Sequence, residues 1–136
     1  MVVTSEDRMS CSVHLSEDGR SVVILDQRKL PNREEYLELK TAEEIFEAIR
    51  TLAVRGAPAI GICAAYGMCV LALGEGKEDF RSFSSALEQA GAYLISSRPT
   101  AVNLSWAVKR MLAVVAGNSD KDVPVIRDLL LQECIS

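Results

Sequence analysis

The chain has 136 residues, 49% hydrophobic and 25% charged, which is the balance of one folded domain and not of a disordered chain. Lys+Arg 15 against Asp+Glu 19 leaves a net charge of −4, so no cationic excess is present to neutralise a nucleic-acid backbone. The single histidine, His14, excludes metal sites built on paired histidines, and no metal is expected. The four cysteines Cys11, Cys63, Cys69 and Cys134 include no Cys-x-x-Cys pair and read as free thiols in a reducing, cytoplasmic setting. Early acids at Glu6 and Asp7, with no apolar run beside them, give no signal-peptide pattern.

In chain order, residues 11 to 16 and 21 to 26 read as two strands around Glu17-Asp18-Gly19-Arg20, because Asp-Gly between apolar runs favours a hairpin turn. His14 falls in the first strand, as an edge residue at or near the surface. The second strand is apolar on both faces and should be covered. Asp26-Gln27-Arg28 is expected to pin the following loop, and Pro31-Asn32 breaks the chain. Residues 36 to 40 alternate as a third strand.

The pattern then turns helical. Thr41 and Glu44 form a capping box before Ile45, Phe46, Ala48, Ile49, Leu52 and Ala53 at helical spacing. Further helices are predicted from about Pro58 to Leu73, Asp79 to Ser96 and Pro99 to Ala116, with a fifth starting near Asp122-Val123-Pro124. Gly56 to Gly74 carries no charge over nearly the ~20 residues of a membrane span, but its Ala, Gly and Pro content fits a buried core helix. On that helix Gly61, Ala65 and Gly67 allow close approach of neighbours, and Cys63 and Cys69 read as packing. Trp106 reads as core. The fold class is α+β: a small N-terminal antiparallel sheet of three strands (1–40), then a bundle of four to five helices (41–136). Val125, Ile126, Leu129, Leu130 and Ile135 give the last helix an apolar face without a following cap, so Val125, Ile126, Leu129 and Leu130 are expected to be exposed where a further domain docks.

Two segments share one chemical design. In Arg55-Gly56-Ala57-Pro58 and in Ser97-Arg98-Pro99-Thr100 an arginine precedes a proline read as opening a helix. A helix N-terminus offers free amides and partial positive charge, a glycine lets backbone approach a ligand, and arginine supplies a fork that matches two phosphate oxygens. Converging, the two would clamp one phosphate. By spacing alone, arginines that are solvated or cap a carbonyl are the commoner reading.

Leu25-Asp26-Gln27-Arg28 with Leu30-Pro31, then Arg55-Gly56-Ala57-Pro58-Ala59-Ile60-Gly61, then Ser97-Arg98-Pro99-Thr100-Ala101-Val102-Asn103-Leu104 closely resemble the S-methyl-5-thioribose-1-phosphate isomerase family. That family belongs to a superfamily with the regulatory subunits of translation initiation factor two-B and archaeal ribose-1,5-bisphosphate isomerase. The likeness covers about residues 21 to 116, with motif order and spacing kept. It implies an N-terminal sheet and helical bundle followed in the family by a Rossmann-like domain that this chain does not include. It implies a cytoplasmic homodimeric enzyme of methionine salvage, converting 5-methylthioribose 1-phosphate into 5-methylthioribulose 1-phosphate without metal or nicotinamide. Substrate binding is carried over to Arg55, Gly56, Ala57 and Arg98. The family's catalytic cysteine and proton-donor aspartate have no counterpart here; the setting of Cys134 does not match, so no catalytic residue is assigned and the chain alone is expected to be inactive. The alternatives are a non-catalytic regulatory subunit of the initiation factor two-B type and another sugar-phosphate isomerase, such as that for ribose 1,5-bisphosphate.

Overall fold

The computed structural model describes residues 13–51, 53–54, 56–76 and 79–135. Strands β1 (Val13–Leu15), β2 (Val22–Leu25) and β3 (Tyr36–Leu39) form an antiparallel sheet in the order β1-β2-β3, with Val13 opposite Ile24 and Ile24 opposite Leu37. The β1–β2 turn holds Gly19 at φ 71, a conformation that costs an L side chain, and Asp18 closes it by accepting from Ser16 Oγ at 2.6 Å and the Arg20 amide at 3.0 Å. Strand β2 is covered on one face, where Val22 and Ile24 are fully buried, while Val23 and Leu25 on the other are half-buried. His14 lies exposed on edge strand β1.

Five helices follow: α1 (Ala42–Arg50), α2 (Ala57–Gly74), α3 (Phe80–Ser96), α4 (Val102–Ala116) and α5 (Val123–Ile135). The α+β arrangement of three strands and then helices is the one the sequence predicts. Helix α1 opens on the predicted capping box: Thr41 Oγ1 accepts the Glu44 amide at 3.1 Å and Glu44 Oε1 accepts the Thr41 amide at 3.1 Å. Ile45, Ala48 and Ile49 turn one α1 face into the core. Helix α3 is capped by Asp79, which accepts the Ser82 amide at 2.9 Å.

Helix α2 is the hub of the fold, touching every other helix and strands β1 and β2. Its sequence explains this, since a helix that is apolar all round must be surrounded. Small residues let the neighbours in: a Cβ on Gly67 would stand 3.1 Å from Ile45 of α1, and one on Gly61 3.5 Å from the Asn103 carbonyl of α4. No helix among the described residues is long and apolar enough to cross a membrane.

The structure corrects three expectations. Helix α4 starts at Val102, not Pro99. The Ala101 amide donates to Arg98 O at 2.9 Å, so Pro99 occupies the second position of a turn, where its fixed φ fits as well as at a helix start. Trp106 is 62% exposed instead of buried. The core stripe of α4 is Leu104, Ala107, Val108, Met111 and Val115, and Trp106, two residues after Leu104, points away from it. On α5, Ile126 and Leu130 are buried with Val123, leaving Val125 exposed and Leu129 half-buried. That face packs on α2, where the carbonyl of Ala72 and that of Glu75, just past the helix end, accept from Arg127, the first at 2.9 Å.

Candidate anion-binding site

The start of α2 is held from two sides. Asp26, buried at the end of β2, accepts from the Arg28 amide at 3.0 Å, Arg28 Nε at 2.9 Å and Arg28 Nη2 at 2.7 Å. These bonds from the Arg28 guanidinium hold the Asp26 carboxyl below its ordinary range, against the opposing effect of burial. Arg28 Nη1 then donates to Thr51 Oγ1 at 3.1 Å, and the Gln27 amide donates to Ala53 O at 2.9 Å. Asp26-Gln27-Arg28 therefore does more than pin its own loop. It braces the segment of buried Ala53 and Val54 that delivers the chain to α2.

Gly56 then caps α2 at φ 89 and ψ 136. A Cβ there would meet nothing within 4 Å, so the need for glycine lies in the backbone angle and not in space. The first intrahelical bond runs from the Ile60 amide to Gly56 O at 3.0 Å. The amides of Gly56, Ala57 and Ala59 thus have no acceptor within the helix, and Pro58, at the second helical position, has none to offer. Gly56 supplies no side-chain cap. Arg55 lies outside the described residues, as does the side chain of Ala57.

Arg98 is placed by the end of α3. Ser97 Oγ donates to Leu94 O at 2.6 Å, the Arg98 amide to Ile95 O at 3.2 Å, and the Pro99 turn carries the chain into α4. The α4 N-cap is Ala101, again without a side-chain cap. Gly56 and half-buried Arg98 line one cavity of about 330 Å³, together with Ile60, Ala101, Val102 and Asn103. The two segments singled out by sequence meet. The N-cap residues of two helices without side-chain caps, Gly56 and Ala101, and the arginine Arg98 line a common space, an arrangement favourable to a single anion.

A second, more apolar cavity of about 590 Å³ adjoins the first through Val102 and Asn103. Its exposed apolar residues are Ile62, Val102 and Trp106, with the Arg110 guanidinium 5.5 Å from the Trp106 ring centre. Arg110 is paired with Glu133 of α5. Sequence reasoning missed this groove. The signal was present in Val102, Trp106 and Arg110 at four-residue spacing, opposite the α4 core stripe. Among the described residues no group of three or more His, Cys, Asp or Glu comes together.

A family model described as the initiation factor 2 subunit family matches residues 53–136, a stretch containing both cavity-lining segments. The chain belongs to this family. It is 48% identical over 118 residues to a 5-deoxyribose 1-phosphate isomerase of Clostridium botulinum (strain Loch Maree / Type A3), covering 86% of this chain and 34% of that protein. It is likewise 48% identical over 121 residues to a methylthioribose-1-phosphate isomerase of Symbiobacterium thermophilum, covering 89% and 34%. The fold superposes on a crystal structure of 5-methylthioribose 1-phosphate isomerase from Pyrococcus horikoshii OT3 with a TM-score of 0.86 at 35% identity, covering 91% of this chain and 34% of that one. It also superposes on the delta subunit of translation initiation factor eIF-2B from A. fulgidus, with a TM-score of 0.82 at 34% identity over 90% of this chain and 35% of that one. The chain spans about a third of the length of the curated relatives it matches.

Proposed function

We propose that this chain forms the phosphate-holding part of a sugar-phosphate isomerase acting on a ribose 1-phosphate with a 5-methylthio or 5-deoxy substituent. The observation that carries the reading is the shared cavity of Gly56 and Arg98. The names of the isomerase relatives support the choice of substrate class. In this reading the amides at the start of α2, the Arg98 guanidinium and Arg55 hold the phosphate and fix the sugar's pose. The reaction opens the sugar ring and moves hydrogen from C2 to C1, and correct positioning lowers that barrier substantially. The groups that move the hydrogen, a cysteine and an aspartate, belong to the remaining length that the relatives have. The longer protein is read as a cytoplasmic homodimer in methionine salvage, with this chain as its first domain. This chain alone is expected to show no turnover.

Isothermal titration with 5-methylthioribose 1-phosphate and 5-deoxyribose 1-phosphate tests the reading. Arg98→Ala should weaken either ligand by about 10- to 100-fold, the scale of a charge-assisted hydrogen bond, while its thermal unfolding stays close to that of the parent. Equal affinity of the variant and the parent chain would contradict it. The likeness to the eIF-2B delta subunit favours a second reading, a non-catalytic regulatory subunit. A longer form of the protein that binds the sugar phosphate without converting it would select that reading.

A further inference from the structure

Six large hydrophobic side chains are exposed among the described residues, and three of them, Ile62, Val102 and Trp106, gather on the groove that adjoins the anion cavity. Exposed apolar surface concentrated in this way marks a place where an apolar group binds. The spacing explains its form. Val102 and Trp106 stand four residues apart on one face of α4, Ile62 comes from α2, and the buried residues that line the groove with them, Ala65 and Ala107, are small. Val102 and Asn103 line the anion cavity as well, so Trp106 is placed one helical turn, about 6 Å along α4, beyond the wall shared with Arg98 and Gly56. A five-carbon sugar spans that distance. Of the described residues lining the groove Arg110 alone is charged, and its guanidinium is engaged: Nε donates to Glu133 Oε2 at 2.9 Å and Nη2 to Glu133 O at 3.1 Å. The same guanidinium lies over the Trp106 ring and holds that wall in place.

We propose that this groove is the subsite for the 5-substituent of the sugar phosphate, and that Trp106, with Val102 and Ile62, selects an apolar group there over a hydroxyl or a second phosphate. The proposal rests on the sugar-phosphate reading above and adds which end of the ligand goes where. The 1-phosphate sits at Gly56 and Arg98, the sugar crosses Val102 and Asn103, and C5 with whatever it carries lies against Trp106. A methylthio group there leaves water and gains contact with the indole, including the sulfur–aromatic contact that thioethers favour. A 5-hydroxyl gives up hydration for apolar surroundings that return little of it. A 5-phosphate meets only a guanidinium already neutralised by Glu133, so ribose 1,5-bisphosphate gains nothing from its second phosphate.

Trp106 is the only tryptophan of the chain, so indole emission reports on the groove directly. The test titrates the chain with inorganic phosphate, ribose 1-phosphate, ribose 1,5-bisphosphate and 5-methylthioribose 1-phosphate, followed by calorimetry and by tryptophan emission with acrylamide quenching. 5-Methylthioribose 1-phosphate should shift the emission to the blue, shield it from acrylamide and bind about 10- to 100-fold more tightly than the two ribose phosphates. Inorganic phosphate should compete with it yet leave the emission unchanged. In Trp106→Ala the affinity for 5-methylthioribose 1-phosphate should fall to that for ribose 1-phosphate, with inorganic phosphate bound as before, and Trp106→Phe should keep most of the preference. Competition by phosphate without any change in emission, a preference that survives Trp106→Ala, an equal loss of all four ligands in that variant, or tighter binding of ribose 1,5-bisphosphate would each overturn the subsite and leave the phosphate reading standing. No binding of any of the four ligands would overturn both.

Discussion

Helix α1 opens with its first amides already engaged by Thr41 and Glu44, whereas α2 opens at Gly56 with no side chain to accept them. One start opens α1 and the other lies six residues beyond Arg50, the last residue of α1, yet they serve different ends. A capping box engages amides at a helix start and adds stability, and leaves fewer of them for a ligand. The α2 start forgoes that stability, and its N-cap Gly56 lines the cavity that Arg98 also lines. What α2 lacks locally is supplied at a distance by Asp26 and Arg28, which fasten the segment ahead of Gly56. An open helix N-terminus is thus distinguished from an unfinished one by how firmly its approach is held.

Three substitutions probe this contrast. Asp26→Ala removes a buried acceptor of three Arg28 donors and should cost about 2–3 kcal/mol in denaturant unfolding. The same pair predicts an acid limb. Because the folded-state pKa of Asp26 lies below its unfolded value of 3.8, its contribution is complete above that pH and declines as pH falls towards the folded pKa. A parent chain whose stability is flat across that range, or that declines no more steeply than Asp26→Ala, would argue against the brace. Gly56→Ala comes next, at about 1–2 kcal/mol, since alanine must adopt φ 89 although its methyl has room. Ligand affinity should fall with it, as the backbone relaxes away from the open geometry. Thr41→Ala should cost only about 1 kcal/mol and leave sugar-phosphate affinity unchanged. If Thr41→Ala weakened binding as much as Gly56→Ala does, the distinction between the two starts would fail.

Local chemistry made much of this legible in the sequence. The Asp-Gly hairpin, the Thr41–Glu44 box and the apolar face of Ile45, Ala48 and Ile49 all depend on residues within a few positions of one another, and the structure has them where the sequence places them, although α1 ends at Arg50, before Ala53, and Leu52 lies outside the described residues. The start of α4 was misread because proline suits both a first helical turn and the second position of a β-turn, and only the Ala101–Arg98 hydrogen bond separates the two. Trp106 was misread because residue size suggests the core, while its position relative to Leu104 and Val108 assigns it to the outside. Ile126 and Leu130 found a partner in α2, which no spacing within α5 reveals. The convergence of Gly56 and Arg98 is likewise a tertiary fact: two local patterns hinted at it, and the packing of α4 against Gly61 brings their segments together.

The most direct test of a shared anion site is a titration of the nitrogen-15-labelled chain with 5-methylthioribose 1-phosphate, followed amide by amide. The amides of Gly56, Ala57, Arg98, Val102 and Asn103 should shift together along one saturation curve, while Thr41 and Glu44 stay still. Shifts confined to one of the two segments, or as large at Thr41 and Glu44 as at Gly56, would contradict the claim that the starts of α2 and α4 hold one ligand between them.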